Sequence, residues 1–252
     1  MIRADVTFLG HSTVLIEMGG TRILTDPVLF DRVTLLRRAV SPLTPSLYRD
    51  VDAALISHLH FDHLDIPSLR LLGTDTQLVV PRGAGPLLRR AGFRRVTELS
   101  ASESADVGPV RVTATPARHS GFRPPFGPEA EALGYLLDES SERVYFAGDT
   151  DVFDEMAMLT GIDLALLPVW GWGPRLGGGH MNPQRAAESL RILRPRAAVP
   201  IHWGTLWPMG MGRVMPNRLQ RPPIEFARAA GSTAPEVQVL LTPPGQTVPI
   251  PR

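Results

Sequence analysis

Ser57-His58-Leu59-His60-Phe61-Asp62-His63 packs three imidazoles and one carboxylate into six positions, and its reading decides both fold and chemistry. Imidazole suits zinc and neighbouring divalent ions, and a carboxylate suits the harder end of the same range. If the segment leaves a strand, His58 and His60 point the same way, because strand side chains repeat every two residues. Asp62 and His63 then follow the bend of a loop toward a second centre. One ion cannot easily take all four groups from so short a stretch, so the spacing favours a pair of ions. The bland alternative is a polar loop with chance histidines. Against it, three of the seven histidines in the chain fall here.

The context is that of a strand end. Residues 51–57 read as a buried strand with Leu55 and Ile56 at its core. Leu64 to Leu69 reads as the entry to a short helix carrying Leu69, Leu71 and Leu72. The loop between the end of a strand and the next helix is where α/β architectures place chemistry.

Composition narrows the class. At 252 residues, 43% hydrophobic and with a mean hydropathy of +0.01, the chain has ample core, and no linker or composition shift divides it. We therefore expect one domain over residues 1–252. No internal repeat is visible. No apolar run approaches the ~20 residues of a membrane span, and no secretory leader is seen, so a cytoplasmic location is expected. Cysteine is absent, which excludes disulfides, thiolate metal sites and thiol nucleophiles; any metal must be held by His, Asp or Glu. A net charge of +1 offers no field for polyanions, so no nucleic-acid partner is expected. All 26 basic residues are Arg, which leaves no Lys for a Schiff base or a general base.

Along the chain, Val6–Leu9, Thr13–Glu17 and Thr21–Thr25 read as strands, with Gly19-Gly20 as a tight turn. Residues 27–50 are Pro-bounded and irregular; a surface excursion is the simpler reading, a substrate-covering loop the other. Strands are expected at Gln77–Val80, Val96–Leu99, Val110–Thr115, Gly134–Leu137, Arg143–Ala147, Asp163–Val169, Ala197–Ile201 and Val237–Leu241. Helices are expected over Pro86 to Gly92 and from the N-cap Asn182 and Pro183 to Leu193. Strands grouped in hairpins with helices interposed in both halves suggest two sheets between helical layers.

A binuclear site takes about six or seven ligands, of which the cluster supplies four. Three further polar residues stand just after apolar runs: His119, Asp149 in Ala147-Gly148-Asp149-Thr150, and His202 in Ile201-His202-Trp203-Gly204. Each alone is ambiguous, since a polar residue at a strand end is often a cap. Together with the cluster they read as ligands.

His-x-His-x-Asp-His followed by a separate His, a Gly-Asp and a late His resembles the metallo-β-lactamase fold over nearly the whole chain. Phe8-Leu9-Gly10-His11-Ser12-Thr13, Leu24-Thr25-Asp26-Pro27, His180-Met181-Asn182-Pro183 and Ile201-His202-Trp203-Gly204-Thr205 resemble the branch containing N-acyl-phosphatidylethanolamine phospholipase D and the ascorbate-6-phosphate lactonase. The resemblance implies an α/β, four-layer αββα sandwich. It implies that His58, His60 and His119 hold one metal, that Asp62, His63 and His202 hold the other, and that Asp149 bridges them. It further implies two divalent ions, zinc foremost with manganese or iron as alternatives, and a catalytic set of Asp62, Asp149 and His180. No ligand position is missing, which argues against a non-catalytic member.

The function so implied is hydrolysis of a small or lipid-like ester by a hydroxide activated between two metals, with phosphodiesters slightly ahead of lactones. A nuclease of the same fold and a metal-binding sensor are the alternatives, and a homo-oligomer is compatible with the sequence. His180, after Gly177-Gly178-Gly179 and before the helix start, is placed to reach substrate or leaving group, or to cap the loop. Asp26 reads either as a hydrogen-bonding support of the metal loop or as a turn residue, and His11 either faces the site or forms a turn. Trp170, Trp172, Trp203 and Trp207, with Phe122, Phe126, Met209, Met211 and Met215, line an apolar pocket or pack in the core. Arg118, Arg123 and Arg175 offer planar forks for a phosphate.

Overall fold

The computed structural model describes residues 4–173, 176–211 and 219–251. The chain opens with a meander of β1 (Asp5–Gly10), β2 (Thr13–Met18) and β3 (Thr21–Thr25), turned at Gly19-Gly20 as its sequence predicts. Short strands β4 (Arg32–Val33) and β5 (Leu36–Arg38) precede β6 (Ala53–Leu55), α1 (Ile66–Leu72), β7 (Gln77–Pro81), α2 (Gly85–Arg90) and β8 (Val96–Leu99). A second run follows the same plan: β9 (Ser104–Val107), β10 (Val110–Pro116), β11 (Leu133–Glu139), β12 (Glu142–Phe146), β13 (Leu164–Pro168), α3 (Pro183–Leu193) and β14 (Ala197–Ile201). It ends with β15 (Leu206–Pro208), α4 (Arg221–Thr233), β16 (Gln238–Val239) and β17 (Thr247–Pro249).

Two seven-stranded sheets result, in the orders β17-β1-β2-β3-β6-β7-β8 and β16-β14-β13-β12-β11-β10-β9. In the first, the antiparallel meander β1-β2-β3 continues into parallel β6, β7 and β8. In the second, antiparallel β10-β11-β12 continues into parallel β13, β14 and β16. The sequence shows no repeat, yet the two halves share one strand plan.

Period-two alternation assigns neighbouring residues to different layers. Leu55 and Val79 face inward and meet Val112, Tyr135 and Phe146 of the other sheet. Their neighbours Ala54, Leu78 and Val80 face outward against Leu69 of α1 and Leu88 of α2. Ala165 and Leu167 of β13 likewise pack against Leu190 of α3 and Phe226 of α4. Helices, two sheets and helices form the expected αββα sandwich. Strands covered on both faces read as unbroken apolar runs, which is why their period was hidden in the sequence. Among the described residues no helix is long and apolar enough to cross a membrane.

Asn182 caps α3 as expected, its side chain accepting from the Arg185 N–H at 2.9 Å, a contact worth about 1 kcal/mol. The structure departs from expectation in three places. Residues 27–50 are more than a surface excursion: β4 pairs with β5, and β5 with β15, in a three-stranded ribbon. Helix α4 has no counterpart among the expected helices; Pro222-Pro223 stand in its first turn, where proline is tolerated. Strands β9 and β17 are short edge strands with little apolar pattern.

The site lies where strand ends meet. His11 follows β1, Asp26 follows β3, the His58–His63 loop follows β6, and His119, Asp149 and His202 follow β10, β12 and β14. The sheets are tied at this edge: the Tyr135 hydroxyl donates to the Ile56 carbonyl at 2.8 Å and the Leu133 N–H to the Ser57 carbonyl at 2.9 Å. The cluster loop is thereby fixed to both.

Candidate metal centre

All seven histidines of the chain gather at this edge. Donor atoms of His58, His60 and His119 lie within 4.8 Å of one another, as do those of His11, Asp62, His63 and His202. Asp149 stands between: its Oδ2 is 3.2 Å from His63 Nε2 and 3.4 Å from His180 Nε2, and its Oδ1 is 3.1 Å from His202 Nε2. Gly148 before it has φ 61°, and a Cβ there would meet Ser57 Cβ at 2.6 Å, so only glycine lets the Asp149 backbone approach the cluster loop.

Hydrogen bonds behind the rings decide which nitrogens face inward. His63 Nδ1 lies 2.7 Å from Asp26 Oδ2, His202 Nδ1 2.7 Å from the Trp170 carbonyl, and His119 Nδ1 2.9 Å from the Gly179 carbonyl. These oxygens only accept, so each Nδ1 carries the proton, and in its neutral form each ring presents a bare Nε2. His58 completes a relay: its Nδ1–H donates to Ser57 Oγ at 2.9 Å, and that hydroxyl donates to Asp26 Oδ2 at 2.6 Å. Gly179, φ 77°, has no room for a Cβ, which would fall 3.0 Å from His119 Nδ1.

These bare nitrogens converge. His63 and His202 Nε2 are 3.1 Å apart; His58 Nε2 and His119 Nε2 lie 2.9 and 3.1 Å from the single Nδ1 of His60, which can donate to only one of them. Asp149 Oδ1 is buried without a donor. Lone pairs facing lone pairs across about 3 Å call for positive charge between them, and the donor set, imidazole with carboxylate, is that of zinc and its neighbours. The residues therefore fit divalent metal ions. Burial holds His58 well below the usual imidazole range and His119 down at about 4, so both stay neutral, as ligands must. His63 differs: burial pulls it down, but Asp149, Asp26 and Asp62 outweigh burial and raise it. Burial raises Asp149 and Asp62, and the surrounding imidazoles more than reverse this and keep both ionised.

His11 is both of the things its sequence allows. It turns the chain at φ 55° and faces the site, its Nε2–H donating to Asp62 Oδ2 at 3.0 Å and its ring 3.9 Å from that of His202. Asp26 is the loop support, accepting the Ser57 N–H at 2.7 Å as well as the Ser57 hydroxyl and His63. His180 lies beside the cluster, its ring 4.6 Å from that of His119. Burial lowers its pKa, but the hydrogen bond to Asp149, the charge of that carboxylate and the Gly177 carbonyl together outweigh burial and raise it.

A cavity of about 530 Å³ opens over the centre, floored by His60, Asp62, Asp149, His180 and His202 and walled by Leu35, Leu36, Phe61, Trp172, Leu176 and Pro208. The β4–β5 hairpin thus covers the site. Of the expected aromatic lining only Trp172 is present. Trp203 packs on Phe8 with ring centres 5.8 Å apart, Trp207 is buried in β15, and Phe126 is surface-exposed. Trp170 serves through its carbonyl, while Phe122, Met209 and Met211 do not line the cavity. Arg123 is no phosphate fork: it is buried, stacks over Phe61 at 3.9 Å and donates to the Leu59 and Leu64 carbonyls, bracing the cluster loop. Arg118 faces Glu155 at 4.0 Å on the surface. Arg175 and Met215 lie outside the described residues.

A family model, the beta-lactamase superfamily domain, matches residues 21–203. The UPF0173 metal-dependent hydrolase of Rubrobacter xylanophilus is 34% identical over 96% of this chain and 94% of its own length. An N-acyl-phosphatidylethanolamine-hydrolyzing phospholipase D of Caenorhabditis elegans is 32% identical over 81% of this chain, which spans 64% of that protein. Among solved structures, Igni18, a metallo hydrolase of Ignicoccus hospitalis, superposes with a TM-score of 0.76 at 25% identity, covering 98% of both chains.

Proposed function

This chain belongs to the beta-lactamase superfamily, and we propose that it is a metal-dependent hydrolase of esters carrying an apolar group, phosphodiesters foremost. The observation that carries the reading is the pair of triads, His58, His60, His119 and Asp62, His63, His202, set on either side of Asp149 at the floor of an apolar cavity. The first triad would hold one ion, the second the other, and Asp149 would face both. Zinc is the proposed ion. Bound there, the two ions supply Lewis acidity, bringing a water toward ionisation near neutral pH and drawing charge from the scissile bond.

The side chains supply the rest. Asp149 is positioned to take up the proton of the attacking water or to orient it. His180 Nε2 faces Asp149 Oδ2 from the cavity wall, so a proton held on that nitrogen can pass to the leaving oxygen. With an apolar group bound against them, Leu35, Leu36, Phe61 and Trp172 would exclude water, which strengthens each charge interaction on the floor. Support for a phosphodiester comes from the similarity to the phospholipase D of Caenorhabditis elegans and from the apolar wall, which suits a lipid-like group.

The test is turnover by the zinc-reconstituted protein of bis-p-nitrophenyl phosphate, p-nitrophenyl acyl esters and a set of lactones. Metal-dependent hydrolysis led by the phosphodiester is expected. Faster turnover of a lactone would reassign the substrate, and no metal-dependent turnover on any of them would overturn the reading.

A further inference from the structure

We propose that Trp172 couples filling of the apolar cavity to the carboxylate of Asp62, as a positioning residue that makes turnover depend on the substrate's apolar group. The proposal rests on the hydrolase reading above. Two N–H donors share Asp62 Oδ2: His11 Nε2 at 3.0 Å and Trp172 Nε1 at 2.9 Å. Together they fix the rotation of the carboxylate, and with it the direction its lone pairs offer to a cation.

The two donors stand in unlike surroundings. His11 is 1% exposed, its backbone N–H held by Thr205 Oγ1 at 2.8 Å and its carbonyl by the His202 N–H at 2.7 Å. His11 does not line the cavity, so this donor is out of reach of whatever enters it. Trp172 is 41% exposed and forms part of the cavity wall. With water in the cavity, its bond to Asp62 competes with solvent. When an apolar group covers the indole face, water leaves, the local dielectric falls, and an N–H···carboxylate bond gains strength. Binding of a remote group is then expressed at the metal-facing carboxylate, so it raises kcat as well as lowering KM.

Trp172→Phe keeps an apolar ring and removes the donor; Trp172→Ala removes both. The wild-type protein and both variants are assayed on p-nitrophenyl alkyl phosphodiesters from methyl to hexyl. Wild-type kcat should rise about tenfold along the series. Trp172→Phe should show a flat kcat while KM still falls with length, and Trp172→Ala should lose both trends. In zinc titrations of the metal-free full chain, Trp172→Phe should weaken one of two binding steps about 10–100-fold and leave the other unchanged. A wild-type-like rise of kcat in Trp172→Phe, or superimposable titrations, overturns the coupling. A wild-type protein that turns over no ester in any metal-dependent way overturns the hydrolase reading and the coupling with it.

Discussion

Asp26 Oδ2 lies 2.7 Å from Nδ1 of His63, and neither side chain is exposed to solvent. A residue 37 positions upstream of the histidine thus sets its tautomer, and through Ser57 sets that of His58 as well. Asp26→Asn keeps the shape, and Asn tolerates the φ of 34° that Asp26 adopts. It should cost about 10–100-fold in metal affinity while the chain stays folded, read by zinc titration and circular dichroism. Wild-type affinity would remove Asp26 from any role behind the ligands.

Elemental analysis after reconstitution should find two transition-metal ions per chain, because two separate nitrogen-rich triads face Asp149. A ceiling of one ion would contradict the binuclear reading.

Asp149→Ala should abolish hydrolysis and lower metal content together, since its two oxygens lie 3.2 Å from His63 Nε2 and 3.1 Å from His202 Nε2. Turnover measured alongside bound metal checks this. Full occupancy with wild-type rate would place the reaction elsewhere.

His180→Ala should keep both ions and lose about 10²–10³-fold in turnover, the usual cost of one proton donor. Its Nε2 reaches Asp149 but closes neither triad. Loss of an ion in the variant would make His180 a ligand, and unchanged kinetics would make it a loop residue.

Arg123→Met should leave the Leu59 and Leu64 carbonyls without their charged donor and lower stability by about 2 kcal/mol, read by thermal denaturation. Phosphate competition should be the same in variant and wild type, because the guanidinium is engaged with the backbone.

The candidate ligands were legible as a group because all seven sit in a loop that follows an apolar strand, where side-chain type alone suggests emergence from a sheet edge. Their supports were harder to read. Arg123 is one of 26 arginines, and no local pattern separates a loop brace from a surface cation. Trp172 sits 110 residues from the carboxylate it contacts, so only the fold brings them together. Leu35 and Leu36 lie in a hairpin too short to show a strand period. Asp26 and His11 were visible as polar residues at strand ends, but the choice between turn and site needed geometry; each does both.

The gathering of every histidine at one edge has a spectroscopic consequence. With no imidazole elsewhere in the sequence, labelling histidine ring nitrogens with ¹⁵N amounts to labelling the centre alone. Two resonances from each of seven rings, free of background, would report tautomer and ligation ring by ring. A Nδ1–H signal that persists while its Nε2 partner shifts on adding metal would trace, residue by residue, the order in which the two triads fill.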